Sequence, residues 1–218
     1  MNVRAQLGPP TGSSLRSRLF LFALAALLVA QQVMLWWLYY RYGAKQLVGD
    51  ETRYWSVAHD ILAGAPWHPS DTWPPAQPLF IALILLAADA LPAVQIVQTM
   101  LFFACAFLIF RLWRQLSGNT VAATIAATLF VIAPSNAAYA QYLWPEVPHL
   151  FTMLVGLTLL LTRPVRMPAA IAAGVSVGLA LLFKSLLTAF WPALLLCFVT
   201  SWRPLRANAA AAAAFTLA

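Results

Sequence analysis

An all-α, polytopic membrane helical bundle is the fold class this sequence predicts, and three observations carry the prediction. Of the 218 residues, 62% are hydrophobic and only 9% charged, with a mean hydropathy of +0.79, leaving too few polar side chains to cover a water-facing globule. The apolar residues fall in consecutive blocks of a size suited to helices in a bilayer. The basic residues stand mostly in pairs at the ends of those blocks. That placement reports topology, so the net charge of +7 does not mark a nucleic-acid surface, which would gather its cations on one polar face.

Taken in order, residues 1–18 form a short basic tail, expected in the cytoplasm. Residues 19–40 are a first apolar block of spanning length that runs into Trp36, Trp37, Tyr39, Tyr40 and Tyr42, an interfacial aromatic belt. A cleaved signal peptide would have a shorter apolar region of about 7–15 residues ending in small side chains, so this block reads as a retained span. Further apolar blocks follow at 79–88, 93–110, 121–133, 150–161, 169–183 and 186–200, and a last run begins at 209. Several are short for a straight crossing and need their flanks or a tilt. The sequence therefore predicts about six to seven spans, a transmembrane module over 19–206 with an outer loop at 41–92, and outer-face juxtamembrane helices in that loop. Residues 207–218 are expected to begin a further span of a longer protein, and the isolated chain is expected to be inactive. Cys105 and Cys197 sit inside apolar runs and read as buried thiols.

The positive-inside rule orients the blocks. With the N-terminus in the cytoplasm and 79–88 lying on the outer surface, Arg4, Arg16, Arg18, Arg111, Arg114, Arg163, Arg166, Arg203 and Arg206 fall inside. Arg41, Lys45, Arg53 and Lys184 fall outside, together with Asp50, Glu51, Asp60, Asp71, Asp89 and Glu146. No charge is left at mid-bilayer, where each costs about 2.5–3.5 kcal/mol on insertion scales.

The polar exception is VGDETRYWSVAHDILAG at 48–64. Tyr54, Ala58, Ile61 and Leu62 recur at helical spacing, and Gly64 and Pro66 stop the pattern. By itself this reads as an interfacial helix that Asp50 caps, with Tyr54 and Trp55 dipping into headgroups. His59, His68 and His149 have no metal-ligand spacing, and His59 faces the interface. Asp60, Asp71 and Asp89 read as solvated loop charges.

The same stretch, with PWHPSDTWPPAQPLF after it, resembles the first outer loop of the lipid A aminoarabinose transferases and the related protein O-mannosyltransferases. Those enzymes belong to the GT-C superfamily, and their pattern there is an Asp-Glu-Thr-Arg-Tyr helix, a Gly, a Trp and a Pro-Pro opening a second surface helix. In SNAAYAQYLWPEVPHLF the lone acid Glu146 is similar to the superfamily's second acidic position. In GVSVGLALLFKSLL, Lys184 resembles the lysine that faces the lipid phosphate, although Phe183 and Ser185 stand where the family has Thr and Gly. Thr72 and Trp73 stand where it often has Glu-Lys. The resemblance implies a polyprenyl-phosphate-sugar-dependent glycosyltransferase of the inner membrane, working on its outer, periplasmic face. Its partners would be the lipid-linked donor of a hexosyl or pentosyl group, a lipid, glycan or protein acceptor and membrane lipids, with no nucleic acid. No firm cofactor is implied, and a divalent cation stays open.

Such chemistry explains the residue types. A departing lipid phosphate is already a stable anion, so one carboxylate that deprotonates the acceptor suffices and the product is inverted. Asp50 is the first candidate for that base and Glu51 the second, with lost hydration raising the pKa and Arg53 lowering it. Lys184 and Arg53 are the candidates for the donor phosphate; a helix-end lysine also snorkels for its own sake. Glu146 would orient the acceptor or help hold a cation, or is a loop acid between prolines. Tyr54, His59 and Tyr142 are further substrate-contact candidates. Two other classes remain open: a non-catalytic assembly subunit, and a lipid or solute transporter. The transporter reading expects ionisable groups at mid-membrane, where this sequence offers only Gln31, Gln32, Gln95 and Gln98, which helix packing accounts for.

Overall fold

The computed structural model describes residues 15–66, 74–161 and 167–185, with residues 213, 214 and 216 near the end. The described residues are helical and contain no strand. In order the helices are α1 (Leu15–Tyr40), α2 (Asp50–Leu62), α3 (Ala76–Leu85), α4 (Leu91–Ser117), α5 (Thr120–Ile132), α6 (Pro134–Tyr139), α7 (Glu146–Leu161) and α8 (Met167–Phe183). The expectations on His68, Asp71, Thr72, Trp73, Arg163, Arg166, Cys197, Arg203 and Arg206, and on the block at 186–200, lie outside the described residues.

Two helices reach spanning length outright: α1 over Phe22–Tyr40, and α4 with its 27 residues. Helices α5, α7 and α8 are apolar but shorter, at 13, 16 and 17 residues. The ten residues of α3 cover only about 15 Å, half a hydrocarbon core. Large apolar side chains point outward all around the bundle, among them Phe22, Leu83, Met100, Phe107, Leu129 and Leu182. In water such a surface would aggregate; in a bilayer it is the solvated face.

Hydrogen bonds fix the directions of the helices. Gln95 and Gln98 on α4 donate to the carbonyls of Gln141 and Trp144, and Gln115 donates to that of Leu161. All three pairs are 46 residues apart, so α4 and α7 run parallel. Gly118, at φ 64, ends α4 in a left-handed turn, and Asn119 caps α5 by accepting from the amides of Val121 and Ala122, so α5 returns antiparallel. Pro134 then breaks the helix and deprives the Phe130 carbonyl of its donor; the Asn136 side chain supplies a substitute at 3.1 Å. Helix α8 lies against α7 more closely than any other described pair, meeting it at Gly156 with Ala173 and at His149 with Ala180, an antiparallel register. Tyr40 at the end of α1 bonds Gln95 near the start of α4. One end of the bundle therefore gathers the last turns of α1 and α8 and the first turns of α2, α4 and α7. Arg111 and Arg114 sit at the other.

Candidate functional site

At the first end, Gly49 takes φ 58 and hands the chain to α2, so the N-cap position is glycine and Asp50 is the first helical residue. This corrects the reading of Asp50 as the cap: the position before it is the cap, and Asp50 lies exposed in the first turn. The face of α2 turned inward is Glu51, Tyr54 and Ala58, packed on α3 and Leu143.

Glu51 is fully buried. One carboxylate oxygen accepts from the Leu143 amide at 2.9 Å and from the Lys45 ammonium; the other accepts from the Val48 amide at 3.1 Å. Lys45 is itself buried, its ammonium 4.9 Å from the ring centre of Tyr142 and 5.8 Å from that of Tyr39. Burial pulls the Lys45 pKa below the usual lysine value, against the opposing pull of Glu51.

The segment that Glu51 grips, residues 140–145, is held by amides from three other helices as well. Gln77 donates to the Leu143 carbonyl at 2.7 Å, Gln95 to Gln141, and Gln98 to Trp144, while the Gln141 side chain donates to Gln32 at 2.7 Å and to Thr99. Each is a buried polar group that would be costly in an apolar bundle without a partner. Together they set the course of the chain into Glu146.

Glu146 opens α7, where the helix N-terminus favours a negative charge. One of its oxygens takes the Lys184 ammonium at 2.9 Å; the other is buried with no hydrogen-bond partner among the described residues. Glu146 also lines a cavity of about 210 Å³ with Phe102, Cys105, Asn136 and Tyr139. Tyr54 connects the two acids: burial pushes its phenol up to about 12, and Asp50 and Glu146 both add to the shift. The structure thus brings Asp50, Tyr54, Glu146 and Lys184 to one end of the bundle.

The other candidates are placed differently. Glu51 faces inward and is neutralised by Lys45, not open to a substrate. Arg53 is exposed on α2. His59 bonds the Trp55 carbonyl at 3.0 Å and Asp89 at 3.1 Å, so Asp89 has a partner where the sequence suggested only solvent. Tyr142 stacks on Trp144 with ring centres 4.7 Å apart and meets Tyr39 edge-on. Among the described residues, no three of His, Cys, Asp and Glu converge to hold a metal. Lys45, Gln77 and Gln141 were not legible as site residues; a lysine six positions before an acid and glutamines inside apolar helices were the available signals.

A lipid-exposed helical bundle with its carboxylates and a lysine gathered at one end defines an integral membrane protein with a polar site at a membrane surface. The chain belongs to the dolichyl-phosphate-mannose-protein mannosyltransferase family, whose model matches residues 88–213, more than half of its length. That places it among membrane glycosyltransferases of the GT-C type. The matched region contains Glu146 and Lys184 and begins after Asp50 and Glu51. No curated protein and no solved structure matches the chain.

Proposed function

We propose that this protein transfers a sugar from a polyprenyl-phosphate donor to an acceptor hydroxyl at the outer face of the cytoplasmic membrane, by inverting displacement. The observation that carries the reading is the Glu146–Lys184 ion pair at the same bundle end as Asp50, with Tyr54 close enough to feel both acids. Lys184 is held by Glu146 beside the polar surface, where an incoming phosphate competes with that carboxylate for it. Asp50, exposed and at the start of α2, takes the acceptor proton as its oxygen attacks the anomeric carbon; the bond to the phosphate breaks and the lipid phosphate leaves as an anion. Glu146, once released by Lys184, orients the acceptor, and Arg53 reaches the donor phosphate. Tyr54, His59 and Tyr142 border the substrates. The leaving group is already an anion, and a protein cation meets it.

The test uses membrane vesicles carrying the full-length protein and a polyprenyl-phosphate hexose, mannose first on the strength of the family's description, with release of polyprenyl phosphate as the readout. Asp50→Asn is expected to lower turnover by about 10²–10⁴-fold, the usual contribution of a general base. Turnover within twofold of the parent would remove Asp50 from the mechanism.

A further inference from the structure

The buried pair on the inner side of α2 is not needed to explain any step above, yet it joins three separate segments. Lys45 and Val48 belong to the connection between α1 and α2, Glu51 to α2, and Leu143 to the connection between α6 and α7. All meet on one carboxylate. Asp50 is the residue before it, and Glu146 follows Leu143 by three positions. We propose that Lys45 and Glu51 form an ionic clamp that sets the spacing between Asp50 and Glu146, making Glu51 a positioning residue and not an alternative base.

Two physical arguments favour a clamp over a stability device. A buried ion pair exchanged for apolar side chains of similar volume is often neutral or stabilising, so stability alone does not account for this one. The carboxylate also accepts two backbone amides on top of the lysine, and these fix loop geometry in a way no apolar contact reproduces. Removing one partner leaves an uncompensated charge in a dry site, whereas removing both charges while keeping one amide oxygen retains the bond from the Leu143 amide and gives up the bond from the Val48 amide.

The activity arm of the experiment rests on the transferase reading; the other arm does not. Hydrogen exchange of the Leu143 amide, followed by mass spectrometry in micelles, reads the clamp directly. Lys45→Met and Glu51→Ala are expected to accelerate that exchange by about tenfold or more, consistent with the loss of a buried charge-assisted hydrogen bond. The pair Lys45→Met with Glu51→Gln is expected to restore protection, and Lys45→Arg covers the case in which the single variants do not fold. In the transfer assay both single neutralisations lower turnover and the double variant regains most of it. If Glu51→Gln is inactive whatever stands at 45, while Leu143 stays protected, Glu51 is the base and the clamp is overturned. Unchanged exchange in every variant overturns it equally. A full-length parent protein without transferase activity sinks the functional reading and leaves the exchange result to decide the clamp.

Discussion

Tyr54 shows at the residue scale how burial and two carboxylates act on one group. Its phenol sits on the inward face of α2 and is pushed up from 10.0 to about 12, first by lost hydration and then by Asp50 and Glu146. Because the folded value lies above the unfolded one, the stabilisation from keeping this phenol neutral is whole below pH 10 and is lost as the pH rises through about 12. An ultraviolet tyrosinate titration of the parent against Tyr54→Phe should show one phenol, absent from the variant, ionising near 12; ionisation near 10 would place Tyr54 in water. The acids themselves divide by environment: Asp50 stays exposed, while its neighbour Glu51 is buried and neutralised. A sequence presents them as an adjacent pair, and only their position around the helix axis separates their roles.

Among the elements, α7 and α8 depend on a single absent side chain. A Cβ built on Gly156 would lie 2.6 Å from a Val177 methyl and 3.2 Å from the Ala173 carbonyl oxygen. Valine is branched at Cβ and cannot swing away cheaply, so the helices would have to separate. Gly156→Ala is expected to cost about 1–3 kcal/mol, the usual range for overpacking, and adding Val177→Ala should recover part of it. Thermal unfolding in micelles measures both, and an unaltered midpoint for Gly156→Ala would refute the close contact. Since Glu146 and Lys184 lie at the start of α7 and just beyond the end of α8, the same variant should also loosen their ion pair. The break at Pro134 illustrates the complementary device, in which Asn136 re-satisfies a carbonyl that proline orphaned.

For the whole molecule, the distribution of charge carries the topology. Lys184 and the acids Asp50, Glu51 and Glu146 gather at one end, with Arg111 and Arg114 at the other. In the orientation proposed, Ser185→Cys in a background with Cys105 and Cys197 replaced by alanine is labelled by an impermeant maleimide on intact cells. Ser117→Cys is labelled only after the membrane is opened. The reverse pattern would put the site on the cytoplasmic face.

Helical class, membrane residence and the sorting of basic from acidic residues were legible in the sequence because hydropathy, block length and charge position are local properties that a bilayer reads directly. Glu146 and Lys184 stand out in the sequence as lone charges at the ends of apolar blocks, and Asp50 as the first of an adjacent acidic pair. What the tertiary structure alone decided is which polar groups find each other inside. Glu51 meets a backbone amide 92 residues away, and Gln77 meets a carbonyl 66 residues away. In a dry interior such groups must be satisfied, but nothing in a periodic pattern names the partner. Only the packing of α1, α2, α3 and α4 around residues 140–145 turns a buried lysine and a row of glutamines into the frame of a site.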